Sequence, residues 1–597
     1  MEFRIFTKNN YLLDIYNMSN TDNYDFAKSM ASQDPSKYTP YVDKQSNLYI
    51  NDINSGVYSS GQTLVQFDLS SLYNSSRWVN TDDMFLTIPL TLVSCTSIAG
   101  SAPAVAPPTA GWALACLKSG YHNLIHQADL QVDGRTIADT QPFLGTMLNV
   151  KLLSEMSQDD LKSTGTSLGF SDVLDNHQSV VWNGTTATAN GTGLTNNQIW
   201  NSTGTSSNSF QGSAPTGTGA QNQGCINDAV SRRVARVADV SKAGFNKIVG
   251  TLVSGDQMRQ DFKPTYQVVG TNYGVVYDTA ILRLKDVFDC MNNIGLVKRF
   301  NGILRLYVNT GSLYVGCQGN NLVPNYSFSS NNTNFQNVCP VMINNLNAVS
   351  ADGGIAAAQT QVSVGLFIGK ALQTNLNGVN LGASNASHPM NACRCYYSSI
   401  TLTPQRALEY ETSNRAKQVV YRNMYFNQYN AIGNGSSWSQ MVQSGITNPY
   451  AVIIIPYISS TATGMSGAQF QSPFDTAPAT SSPCILQNLS VSLGGVQQLT
   501  NPLYYGYETY LTQFSSAEAM TSGDFGVNTG LVNQAYWESN RIYYVNLSRG
   551  TPADKLTPRN LNISFSNQSL VPIDVQIFTI YLDELTIDVA SGVLTKK

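Results

Sequence analysis

The sequence predicts an all-β chain of two tandem jelly-roll domains, that is, β-sandwiches or barrels with short helices and long loop insertions. Three observations predict this. A strand, a glycine turn, a return strand and a helix follow one another twice, far apart in the chain. Short alternating strands fill both halves of the 597 residues. Between them lie long runs of Gly, Ser, Thr, Asn and Gln with no apolar period of their own.

The first copy of the repeat spans 121–150. Within 124–132 (LIHQADLQV), Leu124, Ala128, Leu130 and Val132 share one face while Gln127, Asp129 and Gln131 share the other, the two-residue period of a half-buried strand. Asp133-Gly134 supplies a tight hairpin turn, because Gly accepts the positive φ that such turns need. A return strand over 135–138 follows, and Pro142 opens a helical run carrying Phe143, Leu144, Met147 and Leu148. The second copy spans 485–514. Leu489, Val491 and Leu493 alternate with Ser490 and Ser492, Gly494-Gly495 turns the chain, and 496–499 returns. Pro502 then opens a run with Leu503, Tyr507, Tyr510, Leu511 and Phe514. One supersecondary unit written twice argues for two domains of one fold.

In chain order, residues 1–50 are polar and tyrosine-rich, with a short helix expected near 24–31, and are read as an N-terminal arm. The first jelly roll is assigned to 51–402. It opens with 63–70, where Val65, Phe67 and Leu69 alternate with Gln66 and Asp68. A connection with Trp78 leads to the apolar strand 84–93, in which Pro89 argues for an edge or a bulge. A proline-rich loop (99–110) precedes the repeat unit, and a helix tail follows near 149–161. From about 163 to 226 the composition collapses to Gly, Ser, Thr and Asn with isolated Trp182, Ile199 and Trp200, an exposed insertion. Strands resume at 266–269, 279–285 and 302–309, with a short helix or wide turn over 286–295. In 302–309, Leu304, Leu306 and Val308 face one way. The polar region 311–360 carries one firm strand candidate, 338–346, and strands return at 361–368 and 394–402.

Thr403-Pro404 reads as an N-cap with proline at the first helical position, so 404–413 is a helix bridging the halves. The second jelly roll, 403–597, then repeats the early order. The strand 417–426 alternates, a polar connection holds Trp438, and 450–458 is a buried strand with a late proline at Pro456. After the repeat unit, 523–533 is loop, and 541–547, 561–566 and 572–589 are β.

Composition narrows the function. Apolar residues make up 42% and charged residues 12%, about half the usual ~25% charge. A polar surface thin in charge suits large protein–protein contacts, since buried charge is costly to desolvate. Net charge is −4, with no basic arm for condensing nucleic acid. The densest basic cluster, Arg232, Arg233 and Arg236 with Lys242 and Lys247, reads first as a solvated face. Nine cysteines include no CxxC pair; Cys393 and Cys395 come nearest, so buried reduced thiols are expected rather than zinc or disulfides. Residues 1–10 are mixed and charged, unlike a signal peptide, and no apolar run approaches a membrane span.

The search for chemistry returns no catalytic, cofactor-binding or metal residues. His122 and His126 share a strand face without a carboxylate or thiol cluster beside them; His177 and His388 stand alone. No zinc-protease, nucleophile-elbow, phosphate-loop or dinucleotide glycine pattern occurs in its required context. Asp524-Phe525-Gly526 lacks every kinase partner. Asp159-Asp160 and Asp583-Glu584 read as solvent-facing pairs. Nothing sets a nucleophile beside a base.

Five stretches carry a family resemblance: VQFDLSSLYNSSRWVNTDDMFLTIPLT (65–91), NLIHQADLQVDGRTI (123–137), TAILRLKDVFDCMNNIGLVKRFNGILRLYVNTG (279–311), NPYAVIIIPYIS (448–459) and NPLYYGYETYLTQF (501–514). In this order they resemble the double jelly-roll major capsid proteins of polinton-like viruses and virophages; the long loops are unmatched. The resemblance implies a homotrimer acting as a pseudo-hexameric capsomer of an icosahedral double-stranded DNA virus. It also implies neighbouring capsomers, penton and minor or cement proteins as partners, location in the virion after assembly inside the host cell, no enzyme activity and no sequence-specific nucleic acid binding. On that reading 162–226 faces outward and 1–50 inward. A second reading is a secreted carbohydrate-binding β-sandwich, favoured by loop Tyr and Trp and by the Asn183, Asn190 and Asn201 sequons. A third, a glycoside-cleaving β enzyme, needs a carboxylate pair that is not found.

Overall fold

The computed structural model describes residues 42–54, 56–59, 62–73, 77–97, 115–117, 120–139, 142–165, 167–170, 238–239, 265–270, 272–318, 321–322, 328–330, 340–343, 361–376, 378–459, 484–499, 504–515, 530–534, 537, 541–548, 557–569 and 572–596. The first unit is built on Val42–Asn51 (β1), Gln62–Asp68 (β2), Trp78–Ser97 (β3), Ile125–Val132 (β4), Arg135–Asp139 (β5), Tyr273–Arg283 (β6), Gly302–Asn309 (β7) and Arg394–Leu402 (β8). These pair antiparallel in two sheets, β1-β8-β3-β6 and β2-β7-β4-β5. The second unit uses Lys417–Ile432 (β9), Ser437–Ile446 (β10), Pro449–Ile458 (β11), Leu486–Leu493 (β12), Val496–Gln497 (β13), Tyr543–Asn546 (β14), Arg559–Asn567 (β15) and Ile573–Ile587 (β16). Its sheets run β9-β16-β11-β14 and β10-β15-β12-β13. Adding eight to each label of the first unit reproduces the second. Two four-stranded sheets joined by Greek-key crossings in this order are a jelly roll, and the chain contains it twice.

The repeat unit forms as its residues dictate. Ala128, Leu130 and Val132 in β4, and Leu489, Val491 and Leu493 in β12, are all buried. The hairpin turns hold positive φ at both central residues, Asp133 and Gly134 in one, Gly494 and Gly495 in the other, as two-residue turns matched to strand twist require. Leu144–Glu155 (α1) follows β5, Pro404–Ser413 (α2) joins the units, and Tyr507–Ser515 (α3) follows β13. Buried apolar residues of both sandwiches form one continuous cluster.

Several expectations change. Val42–Asn51, expected inside the arm, is the first strand, paired with β8. It is an edge strand with most side chains exposed, so its backbone, not an apolar period, holds it in the sheet. The counterpart of β9 is therefore β1, and the alternating strand at 62–68 matches β10 rather than 417–426. The Trp438 connection is itself β10. Its exposed face hides the alternation.

Pro89 lies in the central strand β3, not at an edge. On one flank β3 pairs with β6, Pro89 opposite Thr279; on the other, β8 stops at Thr87 and Gln361–Ile368 starts at Leu90. Pro89 falls in that change of partner, where a missing N–H breaks no ladder, and its carbonyl accepts Gly369 N–H at 2.9 Å. Gly311–Gln318, read as polar loop, pairs with Gln361–Ile368 and extends the sheet; of the predicted strand near 338–346, Val341–Ile343 is a strand, and 338, 339 and 344–346 lie outside the described residues. Thr403 precedes α2 as predicted, but its hydroxyl makes no cap hydrogen bond.

Three insertions of the first unit leave from one pole. Residues 98–114 follow the end of β3 at Ser97, those before Thr265 lead into a short strand that turns into β6 opposite Ser94, and 319–360 separates Gly311–Gln318 from Gln361–Ile368, whose Gln361 meets Ser97. The opposite pole carries the starts of β1 and β3, the end of β8, and α2. The arm helix at 24–31, the loops 99–110 and 523–526, most of the 163–226 insertion and the basic cluster at 232–247 lie outside the described residues.

Candidate assembly surfaces

The candidate site is a junction between the two jelly rolls, built from edges that β-sandwiches leave open. β9 is an edge strand of the second unit, and its free side meets the first unit. Asn293 donates to the Val420 carbonyl at 2.9 Å, and the Arg422 amide donates to Asp289 Oδ2 at 2.9 Å. Such pairing of an exposed strand edge with a neighbour's side chains covers groups that would otherwise recruit other chains.

Charge is concentrated here. The Arg422 guanidinium reaches Asp289 Oδ1 at 3.0 Å and Oδ2 at 3.2 Å, and Lys151 of α1 lies 3.7 Å from the same carboxylate. Burial alone raises the Asp289 carboxyl, but Arg422 and Lys151 outweigh it and hold the group down at about 2. Glu155, at the end of α1, sits 3.7 Å from Arg422, and burial pushes its carboxyl above the usual range. The Tyr421 hydroxyl donates to the Ile137 carbonyl of β5 at 2.8 Å and to Asp583 at 3.1 Å. Asp583 also pairs with Lys596 at 2.7 Å, so it is partnered and half-buried rather than solvent-facing as predicted.

Apolar contacts lie beside the charges. Phe143, one residue before α1, packs on Phe426 with ring centroids 5.2 Å apart. Leu531 N–H of the second unit donates to Leu153 O at 2.7 Å, satisfying a carbonyl that the end of α1 leaves open. At the basal pole Trp78 meets Tyr410 of α2 edge-on at 5.3 Å, Lys298 lies 4.8 Å above the Trp78 ring and 2.5 Å from Glu411, and Lys417 donates to Ile294 O at 2.8 Å. Burial lowers the Lys417 ammonium to about 8. An open cleft of about 530 Å³ adjoins this pole, lined by Lys298, Arg299, Arg415, Glu411 and Asp588 among others.

The described histidines and the Cys393–Cys395 pair, weighed for chemistry in the sequence, are buried in the fold. His122 bonds Asn149 at 3.2 Å and His126 stands edge-on to Phe143 at 5.3 Å; burial lowers both to about 4. His388 accepts Met390 N–H at 3.0 Å and faces Thr279 at 3.3 Å. Cys393 and Cys395 are buried free thiols. No group of metal-ligating side chains occurs among the described residues, and no described helix is long and apolar enough to cross a membrane. His177, Trp182, Trp200 and the sequons at Asn183, Asn190 and Asn201 lie outside the described residues. The junction residues escaped the sequence reading, since a charged Arg422 on an alternating strand has the pattern of an ordinary solvent face.

The strand order defines the class: a tandem double jelly-roll protein. No protein-family model and no curated protein matches the chain. Among solved structures it is similar to the mavirus major capsid protein, with 8% identity, TM-score 0.44, and 95% of this chain and 92% of that chain covered. It is also similar to the Sputnik virophage structure, with 8% identity, TM-score 0.41, and 94% and 89% covered. A third likeness is to the Faustovirus major capsid protein, with 9% identity, TM-score 0.40, and 96% and 98% covered.

Proposed function

We propose that this chain is a major capsid protein whose two jelly rolls stand side by side and whose trimers tile an icosahedral shell as pseudo-hexameric capsomers. The observation that carries the reading is the exact repetition of strand order joined by a buried lateral junction. Six similar barrels can then surround one axis using three chains. The polarity of the subunit supports it. Long insertions leave from one pole, whereas Val42, Lys596 and α2 sit toward the other, giving an outer and an inner end. On this reading the 163–226 insertion is exposed outward, the arm before Val42 runs along the inner side, and neighbouring capsomers, penton and cement proteins are the partners. The role is structural and noncatalytic.

Electron microscopy of the purified protein, and of particles containing it, tests the proposal. Trimeric plates with near-sixfold outline are expected. A monodisperse monomer at high concentration, binding glycan in an array, would instead favour the secreted carbohydrate-binding reading. Protease treatment of intact particles should cut the 163–226 insertion before residues 1–41.

A further inference from the structure

Within one chain, the junction places the end of the first unit that carries α1 against the outer face of the β9-β16-β11 sheet. That face is identified by register: Phe426 lies opposite Phe578, which lies opposite Ile453, so the three share one side. Phe143 closes over Phe426, and Arg422 on the same face takes the carboxylates of Asp289 and Glu155. The first unit has the same face. Tyr49 lies opposite Tyr396, which lies opposite Phe85, and the rings meet at 5.6 and 4.9 Å, the second pair stacked. The alternate residues Cys395 and Leu86 are fully buried, so this aromatic row is on the outside of its sandwich. Tyr49 is 50% exposed. Arg394 lies 4.8 Å over the Tyr49 ring, with its Nε buried and without a hydrogen-bond partner among the described residues.

The matching convex part belongs to the second unit. Tyr504 stands three residues before α3, near the place that Phe143 takes one residue before α1, but it is 65% exposed. Glu508 and Thr512, one turn apart on α3, are exposed, and Glu508 forms no ion pair among the described residues. We propose that the occupant of the Tyr49–Tyr396–Phe85 face is a second copy of this chain, which inserts Tyr504 against the aromatic row and pairs Glu508 with Arg394. The contact repeats, between chains, the junction already made within the chain. Such a head-to-tail contact closes a ring when the rotation per barrel is one sixth of a turn. The inference rests on the shell reading above and names the residues that join its subunits. Complementary charge and continuity with the intrachain junction select a second copy over an unrelated partner.

Arg394→Glu and Glu508→Arg, singly and together, test it by mass photometry of the full chain. Each single variant is expected to raise the concentration at which trimers half-dissociate by at least about tenfold, the scale of losing a desolvated charge pair, and the double variant to recover most of it. Independently of stability, a Tyr49→Cys, Tyr504→Cys variant treated with a short bis-maleimide should give covalent trimers on denaturing gels, and neither single cysteine variant should. Trimers that persist in both charge variants and give no crosslink would overturn this interface while leaving the shell reading standing. A wild-type chain that stays monomeric would overturn both.

Discussion

Arg422 holds Asp289 from both its guanidinium, at 3.0 and 3.2 Å, and its backbone amide, at 2.9 Å, across the boundary between the two jelly rolls. Three donors on one carboxylate fix both the distance and the rotation of the second sandwich relative to the first. Removing one partner of such a pair leaves the other charge desolvated, at a cost of about 3 kcal/mol. Arg422→Ala is therefore expected to lower the denaturant midpoint and to separate the unfolding of the two units. A single unshifted transition would show the pair to be dispensable.

The same pair sets an acid limit. Asp289 is held at about 2 in the folded chain, below the ~4 of an unfolded aspartate. A depressed carboxyl contributes stability that is complete above pH ~4 and lost as pH falls toward its folded value. Stability should thus fall between about pH 4 and pH 2, and Asp289→Asn should flatten that part of the profile. Chemical denaturation at stepped pH reads the difference.

Lys417 has the opposite slope. Burial brings its ammonium to about 8, while the unfolded chain titrates near ~10.4. Above the folded value the unfolded state binds more protons, so the charge cost that Lys417 imposes at neutral pH is relieved as pH rises. The difference in melting temperature between the wild type and Lys417→Met should change between pH 7 and 9.5, in the direction of a relatively more stable wild type at the higher pH. A constant difference would mean that Lys417 is already neutral or solvated.

Gly530 separates a backbone requirement from a loop preference. Its φ is +63°, and an added Cβ would lie 2.4 Å from Ser154 O and 2.5 Å from Leu153 O, where the second unit closes on the end of α1. Gly270 also has positive φ but open space around it. Gly530→Ala is expected to cost well above the ~1 kcal/mol of Gly270→Ala, which carries the left-handed strain alone. Differential scanning fluorimetry of the two variants compares them directly.

Gln576 is fully buried, and neither its amide oxygen nor its nitrogen has a hydrogen-bond partner among the described residues. A desolvated, unpaired amide costs about 1–3 kcal/mol. Gln576→Leu, close in volume, is therefore expected to raise the denaturant midpoint. A lower midpoint would reveal a partner for the amide.

The repeat was legible because it lies in local chemistry. Asp133-Gly134 and Gly494-Gly495 announce their turns, and the alternation of Ala128, Leu130 and Val132, or of Leu489, Val491 and Leu493, announces the strands before them. The matching of β1 to β9 was not legible. Gln45, Asn47 and Tyr49 are exposed, so hydrogen bonds to β8 rather than an apolar face make that segment a strand, and sequence period reports only faces.

Sequence by itself therefore determined the class, two β-sandwiches of one design with polar insertions, because burial period and turn residues act over a few neighbouring positions. Tertiary structure alone decided how the sandwiches meet. The partners that hold them, Arg422 with Asp289, Phe143 with Phe426 and Gly530 under the end of α1, are more than 130, 280 and 370 residues apart in the chain. Each sits on a strand edge or helix end whose own pattern reads as open to water until the other unit covers it.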